Sequence, residues 1–180
     1  MSQGSLFSEI KGAEFSPCRT WRYALWRIWD DRLPAMAFCG LNPSTADETV
    51  NDRTINRCIG FARDWGYGSL YMLNLFAIRS TDPDFMLYRP DPIGPDNDDA
   101  LRRYRRKVDL LVAAWGNHKM VKRHDRAKQV LAILEPVHCL EVLKDGFPKH
   151  PLYVPASRRA YSYYPEVDPC APSAITPSNS

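Results

Sequence analysis

Three polar side chains of this chain stand where apolar runs end or break, and their types suit a hydrolytic site. Asn42 follows one apolar run, Asn74 interrupts another, and His150 stands in a loop that also contains two prolines. An amide both donates and accepts hydrogen bonds, and histidine exchanges a proton near neutral pH. Together they predict a site that orients water, binds a polar ring edge and donates or shares a proton.

Each of the three residues also has a purely structural interpretation. Asn42 precedes Pro43, and an asparagine there often bonds its own backbone in a turn. A buried, unpaired amide costs about 1–3 kcal/mol, so Asn74 must bond either the backbone or a ligand. His150 is one of four histidines and is open to interpretation as an ordinary surface residue.

An acidic group follows the first of these motifs. Asp47, Glu48 and Asp52 are separated by only a few residues. A carboxylate there can act as the general base that activates water, cap the helix that follows, or bind a metal. Asp47 and Glu48 are the candidate catalytic bases, and we expect the capping residue to be Asp52 or Asn51.

The alternation of apolar patterns predicts an α/β fold with a mostly parallel sheet. Strands and helices that alternate in this way bring the strand ends, and therefore Asn42, Asn74 and the loop of His150, to one edge. The first two strands are close enough in sequence to predict an antiparallel hairpin. The predicted strands cover residues 22–29, 35–40, 70–75, 110–115 and 137–142, and the predicted helices cover 52–65, 96–108 and 125–134.

Composition sets the limits of the fold and the location. The 180 residues suit one domain, which we expect over 21–164, with an extension at 1–20 and a flexible tail at 165–180. No apolar run is long enough to cross a bilayer, and no signal-like segment opens the chain, so we expect a cytoplasmic monomer without membrane contact. Five cysteines without a close pair predict no metal and no cofactor.

The net charge of +3 is small, but the basic residues are concentrated in the second half of the chain. Such clusters either follow a phosphate backbone or form a solvated surface. Lys149, Arg158 and Arg159 flank the loop of His150 and are the candidates for DNA contact.

Four short segments, in this order, resemble motifs of the uracil-DNA glycosylase superfamily. They are Gly40-Leu41-Asn42-Pro43-Ser44, Leu73-Asn74-Leu75, Leu111-Val112-Ala113-Ala114-Trp115-Gly116 and His150-Pro151. The resemblance implies a three-layer α/β/α sandwich around a central, mostly parallel four-stranded sheet. Ser44 and Leu152 stand where motifs of that superfamily carry other residues, and no Asp-Pro-Tyr segment is present.

The resemblance also implies a function and residue roles. The chain would be a DNA glycosylase that hydrolyses the N-glycosidic bond of a flipped-out damaged or modified base, with Asn42 holding the water, Asn74 recognising a pyrimidine and His150 stabilising the leaving base. Tyr153 or Val154 would wedge into DNA. The implied substrate-binding residues are Gly40, Leu41, Pro43, Ser44, Asn74 and Phe76, the last by stacking. The alternatives are a glycosidase or transferase for a free nucleoside or nucleotide, and a non-catalytic module that binds DNA.

Overall fold

The computed structural model describes residues 9–122 and 125–164, and a single sheet organises them. Its strands are β1 (Ile10–Phe15), β2 (Arg22–Ile28), β3 (Ala35–Gly40), β4 (Ser69–Asn74), β5 (Leu110–Ala113), β6 (His138–Cys139) and β7 (Tyr161–Ser162). The strand order is β1-β2-β4-β3-β5-β6-β7. The pairs β3/β4, β3/β5 and β5/β6 are parallel, whereas β1/β2, β2/β4 and β6/β7 are antiparallel.

The predicted fold class is wrong. The sheet is a mixed, seven-stranded sheet that curls as a half-barrel, not a four-stranded, mostly parallel sheet between helical layers. The predicted hairpin is also wrong, because β2 pairs with β1 and β4 while β3 lies between β4 and β5. Strand β1 was not predicted, because its residues show no apolar alternation and only Gly12 among them is buried.

The helices of the described residues are short. They are α1 (Arg53–Asp64), α2 (Asn97–Arg105), α3 (Lys119–Lys122) and α4 (Arg126–Leu134), with 3₁₀ helices at Pro83–Tyr88 and Pro151–Tyr153. The first of these 3₁₀ helices lies in a segment that the sequence pattern leaves as a loop. The tail expected at 165–180 lies outside the described residues.

Helix α1 confirms its local prediction. The Asp52 carboxylate caps it by accepting a hydrogen bond of 2.8 Å from the Ile55 amide, and Gly66, at a φ of +83°, follows its C-terminal end. One face of the helix is buried because apolar residues recur at helical spacing. The buried residues are Ile55, Cys58, Phe61 and Ala62.

Two apolar clusters cover the two faces of the sheet. The α1 face holds Phe38 and Met72, and the opposite face, against α2 and α4, holds Cys39 and Leu73. Successive residues of a strand point to opposite faces, so Asn74, two residues after Met72, points toward the α1 face. The position of a residue along β3 or β4 therefore decides which side of the sheet it serves.

No helix within residues 9–122 and 125–164 has the length and apolarity needed to cross a bilayer. In the same residues, no group of three or more histidine, cysteine or acidic side chains is arranged to hold a metal ion.

Candidate functional site

The ends of β3 and β4 bring Gly40 and Asn74 side by side. The two residues are register partners, and Asn74 Oδ1 lies 3.2 Å from the point that a β-carbon on Gly40 would occupy. Asn74 is only 3% exposed, and its Nδ2 is buried with no hydrogen-bond partner among the described residues. A buried donor without an acceptor costs about 1–3 kcal/mol, so this amide is a candidate for ligand binding.

A hairpin after β6 carries His150 to the same edge. The Lys149 amide donates to the Glu141 carbonyl at 2.8 Å, and Gly146 turns the chain with a φ of +83°. The Gly116 amide, just after β5, donates to the Pro148 carbonyl at 2.9 Å and ties the hairpin to the sheet. His150 therefore lies near the C-terminal ends of the parallel strands.

The surroundings of His150 favour the neutral form of its imidazole. Its Nδ1 accepts a hydrogen bond of 3.4 Å from the Leu152 amide, which leaves the proton of the neutral ring on Nε2. Burial lowers the pKa of His150, while the nearby charge of Asp52 opposes that shift. The neutral ring can therefore donate a hydrogen bond from Nε2 to a developing anion.

Helix α1 fixes the segment that contains His150. Arg57 donates to the carbonyls of Pro151, at 3.4 Å, and Val154. Val154 is 2% exposed and belongs to the apolar cluster on the α1 face. Asn74, the capping carboxylate Asp52 and His150 thus share one edge and one face of the sheet.

Asn42 has its donors committed to the loop. Its Nδ2 donates to the carbonyls of Pro43, at 3.1 Å, and Ser80, at 2.9 Å. The Ser80 amide in turn donates to the Pro43 carbonyl at 2.9 Å. These bonds match the loop-capping interpretation of Asn42 and leave only its Oδ1 to accept a hydrogen bond from water.

The carboxylates of Asp47 and Glu48 are also occupied. Asp47 Oδ1 accepts hydrogen bonds of 2.8 Å from each of the Thr49 and Val50 amides, and these bonds lower the pKa of Asp47. Glu48 forms a 2.9 Å ion pair with Arg19, whose hydrogen bond lowers the pKa of Glu48. A carboxylate held in its charged form is a weak base.

The other predicted substrate-binding residues have varied surroundings. Phe76 is 2% exposed and packs in the cluster against α2 and α4, which Leu41 also contacts. Pro43 is buried, and Ser44 is half-buried. Stacking of a base on Phe76 would require this core contact to open.

The family model DUF1643, described as a protein of unknown function, matches residues 22–152, most of the chain. The chain belongs to the DUF1643 family. No curated protein and no solved structure matches. The assignment to the uracil-DNA glycosylase superfamily is therefore wrong, because the family model that matches is DUF1643 and four short motifs in order are not specific enough to define a family.

The DUF1643 match ends at residue 152, within the 3₁₀ helix that follows His150. Asn42, Asn74 and His150 lie inside the matched residues, whereas Tyr153, Val154, Arg158 and Arg159 follow them. Tyr153 is 72% exposed and Val154 is buried, so only the tyrosine presents its side chain to a partner. The ring of Tyr153 lies 5.8 Å from that of His150.

The basic residues around this loop are partly neutralised. Lys149 and Arg158 both pair with Glu141, at 2.7 Å and 3.3 Å. Arg159 is exposed and, with Arg158, lines an open cavity of about 420 Å³. Of the three predicted DNA contacts, Arg159 therefore has the fewest competing partners among the described residues.

Sequence reasoning missed the buried arginines of β2 that hold the loop before α1. Arg27 is fully buried, and its guanidinium donates to Asn51 Oδ1 at 2.8 Å and to the Asp47 carbonyl at 2.7 Å. The signal was a charged residue inside a strand pattern, because a buried arginine must find partners. Sequence reasoning also missed that the charge of Asp52 acts on His150, which is far away in the chain.

Proposed function

We propose that this protein hydrolyses the N-glycosidic bond of a damaged or modified base in DNA, with a pyrimidine favoured. The observation that carries the proposal is the buried, unpartnered amide of Asn74 at the same edge and on the same face as the neutral donor His150. An asparagine amide matches a ring edge that has one carbonyl and one N–H group, as pyrimidines have. A ligand reaches this amide when the residues that cover it move aside.

In the proposed reaction, water attacks the sugar carbon and the bond from that carbon to the base breaks. The electron pair leaves with the base, and the Nε2–H group of His150 donates a hydrogen bond to the negative charge that develops there. One donor of this kind contributes about 3–4 kcal/mol to transition-state stabilisation. Asp52 takes the proton from water on Oδ2, because its helix-capping bond engages Oδ1, whereas Asp47 is bonded by two backbone amides and Glu48 is paired with Arg19. Asn42 Oδ1 accepts the other hydrogen of the water.

A base in duplex DNA reaches such a site only after it leaves the stack, which costs a few kcal/mol. Exposed Tyr153, next to His150, is the side chain suited to fill the vacated space. Arg159 is the candidate for a phosphate contact.

A free nucleoside or nucleotide is the second candidate substrate. The observation in its favour is that Glu141 pairs with both Lys149 and Arg158, which reduces the positive charge available to a DNA backbone. DNA binding through phosphates weakens steeply with salt, whereas cleavage of a nucleoside does not.

The test is a base-release assay over DNA that carries uracil, mismatched, oxidised, alkylated or phage-type modified bases, together with the free nucleosides. We expect release from one of them, and a loss of about 100-fold or more in the rate for His150→Gln and Asn74→Leu. The matched controls are His118→Gln, at a half-buried position, and Asn117→Leu, at an exposed position, and both wild-type side chains are hydrogen-bonded. DNA binding without release from any substrate would instead indicate a non-catalytic module, and equal rates in all four variants would refute the site.

A further inference from the structure

Two arginines near the Asn42 loop have donors without partners. Arg22, at the start of β2, is 3% exposed, and Arg79, after β4, is half-buried. The Nε atom of each is buried and has no hydrogen-bond partner within residues 9–122 and 125–164. Neither arginine forms a salt bridge in that part of the chain.

The backbone pairing brings these two arginines together. The Arg22 amide donates to the Ala77 carbonyl at 2.8 Å, and the Arg79 amide donates to the Thr20 carbonyl at 3.1 Å, on either side of an antiparallel bridge. Arg22 and Arg79 are therefore diagonal neighbours across this pairing, within reach of long side chains. Burial and the charge of Arg79 both lower the pKa of Arg22, which falls to about 10.

Arg27 shows how this protein satisfies a buried arginine that serves structure. The Nε and both Nη atoms of Arg27 donate to oxygens of the chain. Arg22, by contrast, has one bond from Nη1 to the Ala46 carbonyl and an unpaired Nε. A buried charge without a partner is strongly unfavourable. Binding of an external anion would therefore stabilise the Arg22 guanidinium.

The nearby acids do not fill that role. The charges of Asp52 and Asp47 act on Arg22 from a distance, and those of Arg27 and Arg79 oppose them. The Asp52 carboxylate caps α1, and that of Asp47 closes a turn with Thr49 and Val50. The region therefore keeps unpaired guanidinium donors beside carboxylates that are already bonded.

We propose that Arg22 and Arg79 form a subsite that binds a phosphoryl group of the substrate. The inference rests on the proposed function, because it assigns a phosphate position next to the sugar of the reacting nucleotide. A guanidinium offers Nε–H and Nη–H groups in a fork that matches two phosphate oxygens. Ser80, the residue after Arg79, holds the Asn42 side chain and the Pro43 carbonyl, so the subsite adjoins the loop proposed to position water.

The test is calorimetric titration of the full chain with inorganic phosphate. We expect Arg79→Gln to weaken phosphate binding at least tenfold, because it removes a guanidinium fork from the subsite. Arg79 Nη1 also donates to the Arg19 carbonyl at 3.5 Å, and its guanidinium lies over the Phe15 ring, so circular dichroism checks that the variant folds. Arg102→Gln is the matched control, since Arg102 is an exposed arginine paired with Asp99 on α2. Arg22→Gln is informative if circular dichroism shows that it folds. Equal phosphate binding by Arg79→Gln and Arg102→Gln, or no binding by the unmodified chain, would overturn the subsite.

Further titrations separate the source of the phosphate and the two proposals. If a nucleoside monophosphate binds more tightly than its nucleoside, and Arg79→Gln abolishes the difference, the subsite binds the phosphate of a free nucleotide. If a short single strand of DNA binds more tightly than the nucleoside, and Arg79→Gln abolishes that difference, the subsite binds the DNA backbone. Asn74→Leu should still bind inorganic phosphate. Phosphate binding without base release would refute the proposed reaction but not the subsite. Base release together with phosphate binding that Arg79→Gln does not weaken would refute the subsite but not the reaction.

Discussion

Asn74 Oδ1 lies 3.2 Å from the point that a β-carbon on Gly40 would occupy, across the parallel pair β3/β4. Any side chain at position 40 would press on the Asn74 amide and shift it by a few tenths of an ångström. The absence of a side chain at position 40 therefore lets the amide keep its position at the edge of the sheet.

Gly40→Ala should consequently impair function more than stability. The Asn74 amide can yield, so we expect a loss of about 1 kcal/mol in the free energy of unfolding. A displaced contact near the reacting atoms costs up to about 100-fold in rate. Base release and urea denaturation measure the two effects. Gly60→Ala, in α1 with open space around it, is the control and should stabilise the fold by about 0.5–1 kcal/mol. Equal activity in both variants would contradict the role given to Gly40.

Asn74→Leu should leave stability nearly unchanged. The Nδ2 of Asn74 has no partner to lose, so we expect a change below about 1 kcal/mol in urea denaturation. Asn97→Leu is the contrasting variant, because Asn97 Nδ2 donates to the Asn74 and Leu75 carbonyls at 3.2 Å and 3.1 Å. Its loss takes a donor from the Asn74 carbonyl and leaves the Leu75 carbonyl with the 2.8 Å hydrogen bond from Arg126 Nε, so it should cost about 1–3 kcal/mol. Similar destabilisation by the two variants would show that the Asn74 amide serves the fold.

The lowered pKa of His150 predicts that the free energy of unfolding decreases at acid pH. Burial lowers this pKa below the ordinary value of 6.5, so His150 binds a proton more weakly in the folded chain than in the unfolded chain. The contribution is complete above pH 6.5 and is lost as the pH falls through the lowered pKa. Urea denaturation across that range should show the decline, and His150→Gln should flatten it relative to His118→Gln. An identical pH profile in the two variants would refute the assignment.

The same titration should appear in the rate of base release. Neutral His150 is the proposed donor, so activity should fall on the acid side with a midpoint below 6.5. A midpoint above 6.5 would contradict a neutral donor.

Cysteine alkylation should distinguish Cys18 from the buried cysteines. Hydrogen bonds with the Ser16 and Thr20 hydroxyls lower the pKa of exposed Cys18 to about 7, whereas burial raises the pKa of Cys39 to about 12. Thiolates react and thiols do not, so iodoacetamide at neutral pH should modify Cys18 and spare Cys39, Cys58 and Cys139 until denaturant is added. Peptide mapping by mass spectrometry measures this. Early modification of Cys58 would show that the α1 face opens.

Local elements could be predicted from the sequence, and their neighbours in the sheet could not. Helix α1 follows from apolar spacing and the Asp52 cap, which involve residues within a few positions of each other. The partner of β2 does not, because the choice between β3 and β4 depends on which strand edges the rest of the chain leaves open. The short strand β7 has no apolar alternation and exists only because β6 offers it an edge.

The candidate site divides in the same way. The residue pattern alone predicts that Asn42 and the loop of His150 follow strands and that Asn74 lies within one, and parallel pairing of β3, β4, β5 and β6 then brings these residues to one edge. It left open what each side chain does there. The three-dimensional contacts show that the Asn42 donors bond the loop, whereas Asn74 Nδ2 has no partner among the described residues. The nearness of Asp52 to His150 and of Arg22 to Arg79 was decided by the tertiary structure too, because hydrogen-bond partners and burial come from residues far apart in the chain, to which local spacing does not respond.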